Sequence, residues 1–163
     1  MLVVSNTSPI MNLAAVDLLD ILRRQFVEVI VPEAVIEELR LDSGYPGTDK
    51  IRIAMSEGWL RQEVVENKQV ALALRRELDN GEAEAIALAL QLGTETILMD
   101  EREGRSVAKS MGLSPIGIIG VLIRAKQKGE ILSVKEALNK LRNEAGFYIT
   151  NALMKDILSE LGE

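Results

Sequence analysis

The stretch Gly81–Arg105, GEAEAIALALQLGTETILMDEREGR, decides how the chain is read. Gly81–Leu92 carries Ala and Leu on nearly every side, which predicts a buried helix rather than a surface one. Gly93 is placed to turn the chain after it. Thr96–Met99 is a short apolar run of strand type, and Asp100 falls where that strand should end. Yet the buried helix opens with two carboxylates, Glu82 and Glu84. In open α/β sheets, ligands sit outside the carboxyl ends of the strands. An acid at a strand end, next to a buried helix that begins with acids, outlines a cation pocket.

The bulk composition narrows the chemistry. A chain of 163 residues is expected to form one domain, residues 1–163, with a proper core. Apolar residues make up 47 % and aromatics only 3 %, so that core must be aliphatic. There is no Cys, which removes disulfides and thiolate metal sites, and no His, which removes Ser-His-Asp and Cys-His catalysis and imidazole-ligated zinc. Any metal would be a hard ion held by oxygen, Mg2+ or Mn2+. No apolar run approaches the ~18–20 residues of a membrane span, and Met1–Asn6 lacks the features of a signal peptide. The expected address is the cytoplasm, with no membrane partner. The net charge of −6 argues against a protein that simply coats nucleic acid. The distribution is uneven, however: residues 101–142 hold nine Lys/Arg against four Glu. That excess is either a solvated helical surface or an electrostatic track including Lys109, Arg124, Lys126 and Lys128.

Strand and helix signals alternate along the chain. Leu2–Ser5 reads as a central strand, followed by a helix start at Asn6-Thr7-Ser8-Pro9, with Thr7 or Ser8 as the cap. That helix is expected to run on towards Arg24, bent near Asp17. Glu28–Val31 is a second strand, Pro32 opens a second helix, and Asp42–Gly47 (DSGYPG) has turn chemistry. A helix from Thr48 to about Glu57, an edge strand within Leu60–Val65 and a helix over Lys68–Leu78 lead to the organising stretch. After it come a helix over Glu101–Met111, a strand near Leu113–Ile116 and a helix over Ile118–Lys128. Two amphipathic helices, Ser133–Asn143 and Asn151–Leu161, close the chain. The alternation predicts a parallel α/β sheet.

Four residues fall where strands end or helices begin: Asn6, Glu38, Glu82 and Asp100. At ~100° per residue, Val35, Ile36 and Leu39 form one helical stripe, with Glu38 at its margin and Glu37 pointing away. Glu38 is therefore the acid that approaches the interior. Glu82 and Glu84 lie about 200° apart on a regular helix and cannot share a face, so one of them at most points straight into a common site. Each acid also has an ordinary structural reading. Asp79 and Glu82 have the spacing of a capping box, Asp100 could cap the helix after it, and Glu38 could be a solvated surface acid.

These motifs resemble the PIN-domain nucleases, which include VapC-like toxins. V-S-N-T-S-P matches the family's turn after strand one, A-V-I-E-E-L its acid-bearing helix, G-E-A-E-A-I-A-L-A its buried helix, and I-L-M-D its last acid. The spacing from Glu82 to Asp100, with Gly93 between, favours Glu82 over Glu84 as the third acid. The G-E-x-E-A-I and D-x-x-x-G-R patterns, the latter Asp100–Arg105, resemble a VapC-like branch. The likeness covers about Leu2–Lys128; beyond Ser133 it is one of general character. Two positions depart from the family pattern: Asn6 stands for the first acid, and Leu98 for a Ser or Thr two residues before the last.

The resemblance implies a three-layer α/β/α sandwich with a central, mostly parallel sheet of four to five strands. The core would span about residues 2–128, with the two C-terminal helices as an extension over about 133–161. It implies hydrolysis of RNA phosphodiesters by metal-activated water. Asn6, Glu38, Glu82 and Asp100 would be the catalytic and metal-binding set, with Glu84 a further candidate ligand and Mg2+ or Mn2+ the cofactor. Thr7, Ser8 and Arg105 would meet the substrate, although Arg105 could instead pair with Asp100 or Glu101. Partners would be RNA, a small antitoxin protein and a second copy of the chain. Because Asn carries no charge, a second reading is a binding module of the same fold with a weakened or inactive site. The apolar stripe of the last two helices (Val134, Leu138, Leu141, Leu153, Ile157, Leu158, Leu161) could serve a dimer or antitoxin surface, or pack on its own domain.

Overall fold

The computed structural model describes residues 1–163. Five short strands form one sheet: β1 (Leu2–Ser5), β2 (Glu28–Val31), β3 (Leu60–Gln62), β4 (Thr96–Leu98) and β5 (Ser114–Ile116). The order is β3-β2-β1-β4-β5 and every pairing is parallel. The expected fold class holds, with a sheet that is entirely rather than mostly parallel. Parallel neighbours need crossover connections, and helices supply them on both faces.

Strand alternation divides the interior in two. Val3, Val29, Val31 and Leu98 face a larger core, while Val4, Ile30, Ile97 and Met99 face a smaller one. The larger core is covered by α1 (Thr7–Ala15), α2 (Asp20–Gln25), α3 (Glu33–Leu39), α4 (Thr48–Glu57), α8 (Ile118–Gln127), α9 (Val134–Glu144) and α10 (Asn151–Glu160). The smaller is covered by α5 (Lys68–Leu74), α6 (Asn80–Leu92) and α7 (Arg102–Ser110). Helix α6 is buried along most of its length, as its Ala-rich composition requires, and Gly93 ends it in the left-handed conformation (φ 68°).

Two helices differ from their expected lengths. The first does not bend at Asp17 but breaks there: Asp17 has φ 60° and separates α1 from α2. The break lets Val16, Leu19, Ile21 and Leu22 all reach the larger core, which one straight helix could not arrange. Helix α5 stops at Leu74, and the turn after it brings Leu78 into the smaller core beside α6.

The start of α1 also differs in a way that matters for the site. Asn6, not Thr7 or Ser8, occupies the cap position, and its side chain makes no capping bond. Pro9 sits in the first turn, where its missing N–H costs nothing.

The C-terminal helices pack on the chain's own core. Val134, Ala137, Leu138, Leu141, Met154 and Ile157 are buried in the larger cluster, with Leu158 and Leu161 packed against it; Leu153 stays exposed. The predicted consequence is a clear contrast in stability. Leu138→Ala, at a fully buried site, should cost about 2–5 kcal/mol. Leu132→Ala, at a residue 94 % exposed, should stay within about 0.5 kcal/mol of wild type. Urea unfolding of the two variants checks this.

Candidate active site

The order β3-β2-β1-β4-β5 reverses direction between β1 and β4, and in doubly wound sheets the crevice at such a switch point is where ligands bind. Asn6 follows β1 and Asp100 follows β4. The Asn6 N–H donates to Leu98 O at 3.0 Å, which ties the two strand ends together. Parallel register therefore carries residues 94 apart in sequence to one edge of the sheet.

Asn6 is 3 % exposed. Its Nδ2 donates to Glu101 Oε2 at 3.3 Å, while its Oδ1 is buried and has no hydrogen-bond partner. Asp100 is in the same condition. Its Oδ1 accepts from the Ile118 N–H at 2.9 Å, at the start of α8, and its Oδ2 is buried and unpartnered. Gly117 allows that bond, since a β-carbon there would lie 2.6 Å from Asp100 Oδ1. These are two of seven buried side-chain polar atoms left without a partner, and they lie at adjacent strand ends.

Glu38 reaches inward, as the helical geometry of its stripe requires. It accepts from Thr7 Oγ1 and, at 3.0 Å, from the Gly81 N–H in the first turn of α6. Gly81 is needed for this contact, because a β-carbon would come within 2.5 Å of the carboxylate. Glu82 is 6 % exposed and folds back on its own helix. Its carboxylate accepts from the Asp79 N–H at 3.2 Å while Asp79 accepts from the Glu82 N–H at 2.8 Å, the capping box that the spacing allowed. Glu84 points elsewhere and accepts from the Ala34 N–H at 3.3 Å, in α3.

No three of these acids gather into one metal-binding group. Asn6 and Asp100 share the strand ends, Glu38 sits with Thr7 against α6, and Glu82 is held by Asp79. The residue that links three of them, Asn6, Glu82 and Asp100, is Glu101. Besides its bond from Asn6, its charge raises the pKa of both Glu82 and Asp100. Sequence reasoning did not single Glu101 out as a site residue. The signal available was the Asp100-Glu101 doublet at a strand end.

Arg105 makes no ion pair with Asp100 or Glu101. Its Nη1 donates to Met99 O at 3.0 Å, fixing the end of β4, and its charge lowers the Asp100 pKa from nearby. A cleft of about 800 Å3 opens beside these groups. Ser8, Asp100, Glu101 and Arg105 line one side of it, and Ser8 Oγ is buried there without a partner.

Burial dominates the titration of both enclosed acids. It pushes Asp100 up to about 6; the Ile118 N–H and Arg105 oppose the rise and Glu101 adds to it. It pushes Glu82 up to about 7, helped by the charges of Asp79, Glu101 and Glu103 and opposed by the Asp79 N–H.

The chain matches the family model described as "DUF3368: PIN domain" over residues 2–163. The protein belongs to the PIN-domain family. Neither a curated protein nor a solved structure matches it. PIN domains act generally as nucleases and use divalent metal ions, and this PIN domain offers oxygen donors of the hard type such ions take. The orphaned Asn6 Oδ1 and Asp100 Oδ2 fit that chemistry. No helix of this PIN domain is long and apolar enough to cross a membrane.

The raised Glu82 pKa makes a prediction with a definite sign. The folded state favours the protonated carboxyl, so this contribution to stability is complete below pH 4.5 and lost as pH rises through about 7. Glu82→Gln keeps an oxygen acceptor for the Asp79 N–H and does not titrate. In EDTA its Tm should exceed that of wild type by a few °C at pH 8, with the gap closing at pH 4–5. Thermal melts across pH test this.

Proposed function

We propose that this PIN domain is a metal-dependent endoribonuclease of the VapC-like branch, hydrolysing RNA phosphodiesters. The observation that carries this reading is the pair of buried, unpartnered oxygens, Asn6 Oδ1 and Asp100 Oδ2, at the ends of adjacent strands. A buried acceptor without a partner costs free energy, and a hard cation removes that cost. When bound, Mg2+ or Mn2+ supplies Lewis acidity, lowering the pKa of a water and offsetting the charge of a phosphate.

The chain's own residues divide the remaining work. Asn6 and Asp100 would hold the ion directly, with Glu101 adding the negative charge that Asn6 lacks. Glu38 and Glu82 would complete the set after yielding the bonds they accept from Thr7, Gly81 and Asp79. Glu84, turned to α3, stands furthest from that role. Arg105 keeps the end of β4 rigid through Met99 O, and its remaining N–H donors border the cleft where a phosphate would lie. Ser8 lines the same side of the cleft, and its buried, unpartnered hydroxyl would turn to the substrate there. The whole chain acts as one unit in this reading, since the C-terminal helices share the larger core. A small antitoxin and a homodimer belong to the VapC-like reading too. Their surface would not be the C-terminal apolar stripe, which is mostly buried against the chain itself.

A specific observation favours the second reading, a PIN domain that binds RNA or protein without cutting. Asn6 is neutral, and its amide is bonded to the one carboxylate that could replace the missing charge.

The purified protein should cut single-stranded or structured RNA with Mn2+ and stop in EDTA, and Asp100→Asn should lower the rate by about 100-fold or more. Equal cutting by Asp100→Asn would remove the basis for the nuclease reading. Asn6→Asp separates the two readings. It sets a carboxylate against Glu101, so it should melt lower than wild type in EDTA and gain more from Mn2+. If wild type is silent and Asn6→Asp cuts, the natural chain is the non-cleaving form.

A further inference from the structure

The cleft beside Asp100 and Glu101 has a second wall that the reaction does not require. It is made by the α9–α10 turn, with Phe147 and Tyr148, and by the cleft-facing side of α8, with half-buried Ile119 and Ile123 and exposed Arg124. Aromatics are scarce here: the chain has two Phe, two Tyr and one Trp. Phe26 and Trp59 are buried in the core, whereas Phe147 and Tyr148 are adjacent and both border this one cleft. Tyr148 is 85 % exposed, so packing does not account for its place.

The turn that carries it is well braced. The Phe147 N–H donates to Leu141 O at 3.0 Å, Arg142 Nη2 donates to Ile149 O at 2.7 Å, and Thr150 Oγ1 accepts from the Leu153 N–H at 3.1 Å. Ile149, Met154 and Ile157, buried in the larger core, fix the turn from below. Arg124, at the cleft wall, is exposed and has no ion-pair partner.

We propose that Tyr148, Phe147 and Arg124 form a nucleobase subsite, which takes one unpaired base of a single-stranded RNA whose backbone continues past Asp100 and Glu101. This rests on the RNA-directed reading of the site given above. An exposed aromatic ring in one cleft with an unpaired guanidinium is the chemistry of base stacking, which tolerates any base because every base has a π-face. The cleft volume of about 800 Å3 lies within the ~300–1,000 Å3 range of small-ligand sites, enough for a nucleotide. The geometry also gives direction: the base sits on the C-terminal side of the cleft and the reacting phosphate on the strand-end side. A single-stranded or looped RNA satisfies this, while a continuous duplex, with its bases stacked inside, does not.

The test is binding of fluorescein-labelled octauridylate and octaadenylate in EDTA, where no cutting occurs, followed by anisotropy. Tyr148→Ala should weaken both by about 10-fold, and Tyr148→Phe should stay within about 2-fold of wild type. Arg124→Ala should lower the slope of log Kd against log salt by about 1, and Tyr148→Ala should leave that slope unchanged. Tyr148 is exposed, so its variants are expected to fold; equal Tm values verify this. Wild-type affinity in Tyr148→Ala, an equal loss in Tyr148→Phe, or no binding by wild type would each overturn the subsite. So would unchanged RNA binding with a loss of self-association by light scattering, which would make the turn a protein contact. Mn2+-dependent cutting of the same oligonucleotides by wild type judges the nuclease reading separately. Cutting with Tyr148-independent binding sinks the subsite alone, and binding without cutting sinks the nuclease alone.

Discussion

A buried helix must find partners for the amides of its first turn without help from water, and that constraint shapes the centre of this PIN domain. Helix α6 meets it with carboxylates. Gly81 donates to Glu38, and Glu82 donates to Asp79 while closing the capping box in return. The Glu38 bond works only because position 81 has no side chain. Helix α3 is thereby held to α6 by its acid, and α1 is drawn in through Thr7.

In the nuclease reading these contacts would give the acids two roles that compete. An acid that satisfies a helix start is not free to hold an ion, and a cation at Asn6 and Asp100 would offer Glu38 and Glu82 a different partner. The raised pKa values of Glu82 and Asp100 mark the cost of keeping charge there without one. Asn6 fits this balance. A carboxylate at that position would stand against Glu101, whereas the amide bonds to it. The charge that other residues of the pocket would have to bear is moved one strand end away.

The other side of the cleft is built by the C-terminal helices. They add to the larger core rather than standing apart, and their joining turn reaches back over the strand ends. The family match runs through these helices to residue 163, and Gly146, Phe147, Tyr148 and Leu153 give the cleft its second wall.

Much of this was legible in the chain alone. Ala-rich Gly81–Leu92 pointed to a buried helix, alternating strand and helix signals to a mostly parallel sheet, and helical phase put Glu38 rather than Glu37 inward. The absence of His and Cys confined the chemistry to oxygen donors. These features are local, set by period, composition and side-chain size. Tertiary structure decided the rest: that Asn6 and Asp100 share a switch point, that Glu101 accepts a bond from Asn6, and that Tyr148 borders the same cleft. Each of those depends on strand order and crossover packing, which bring together residues far apart in sequence, and no local pattern encodes which ends will meet.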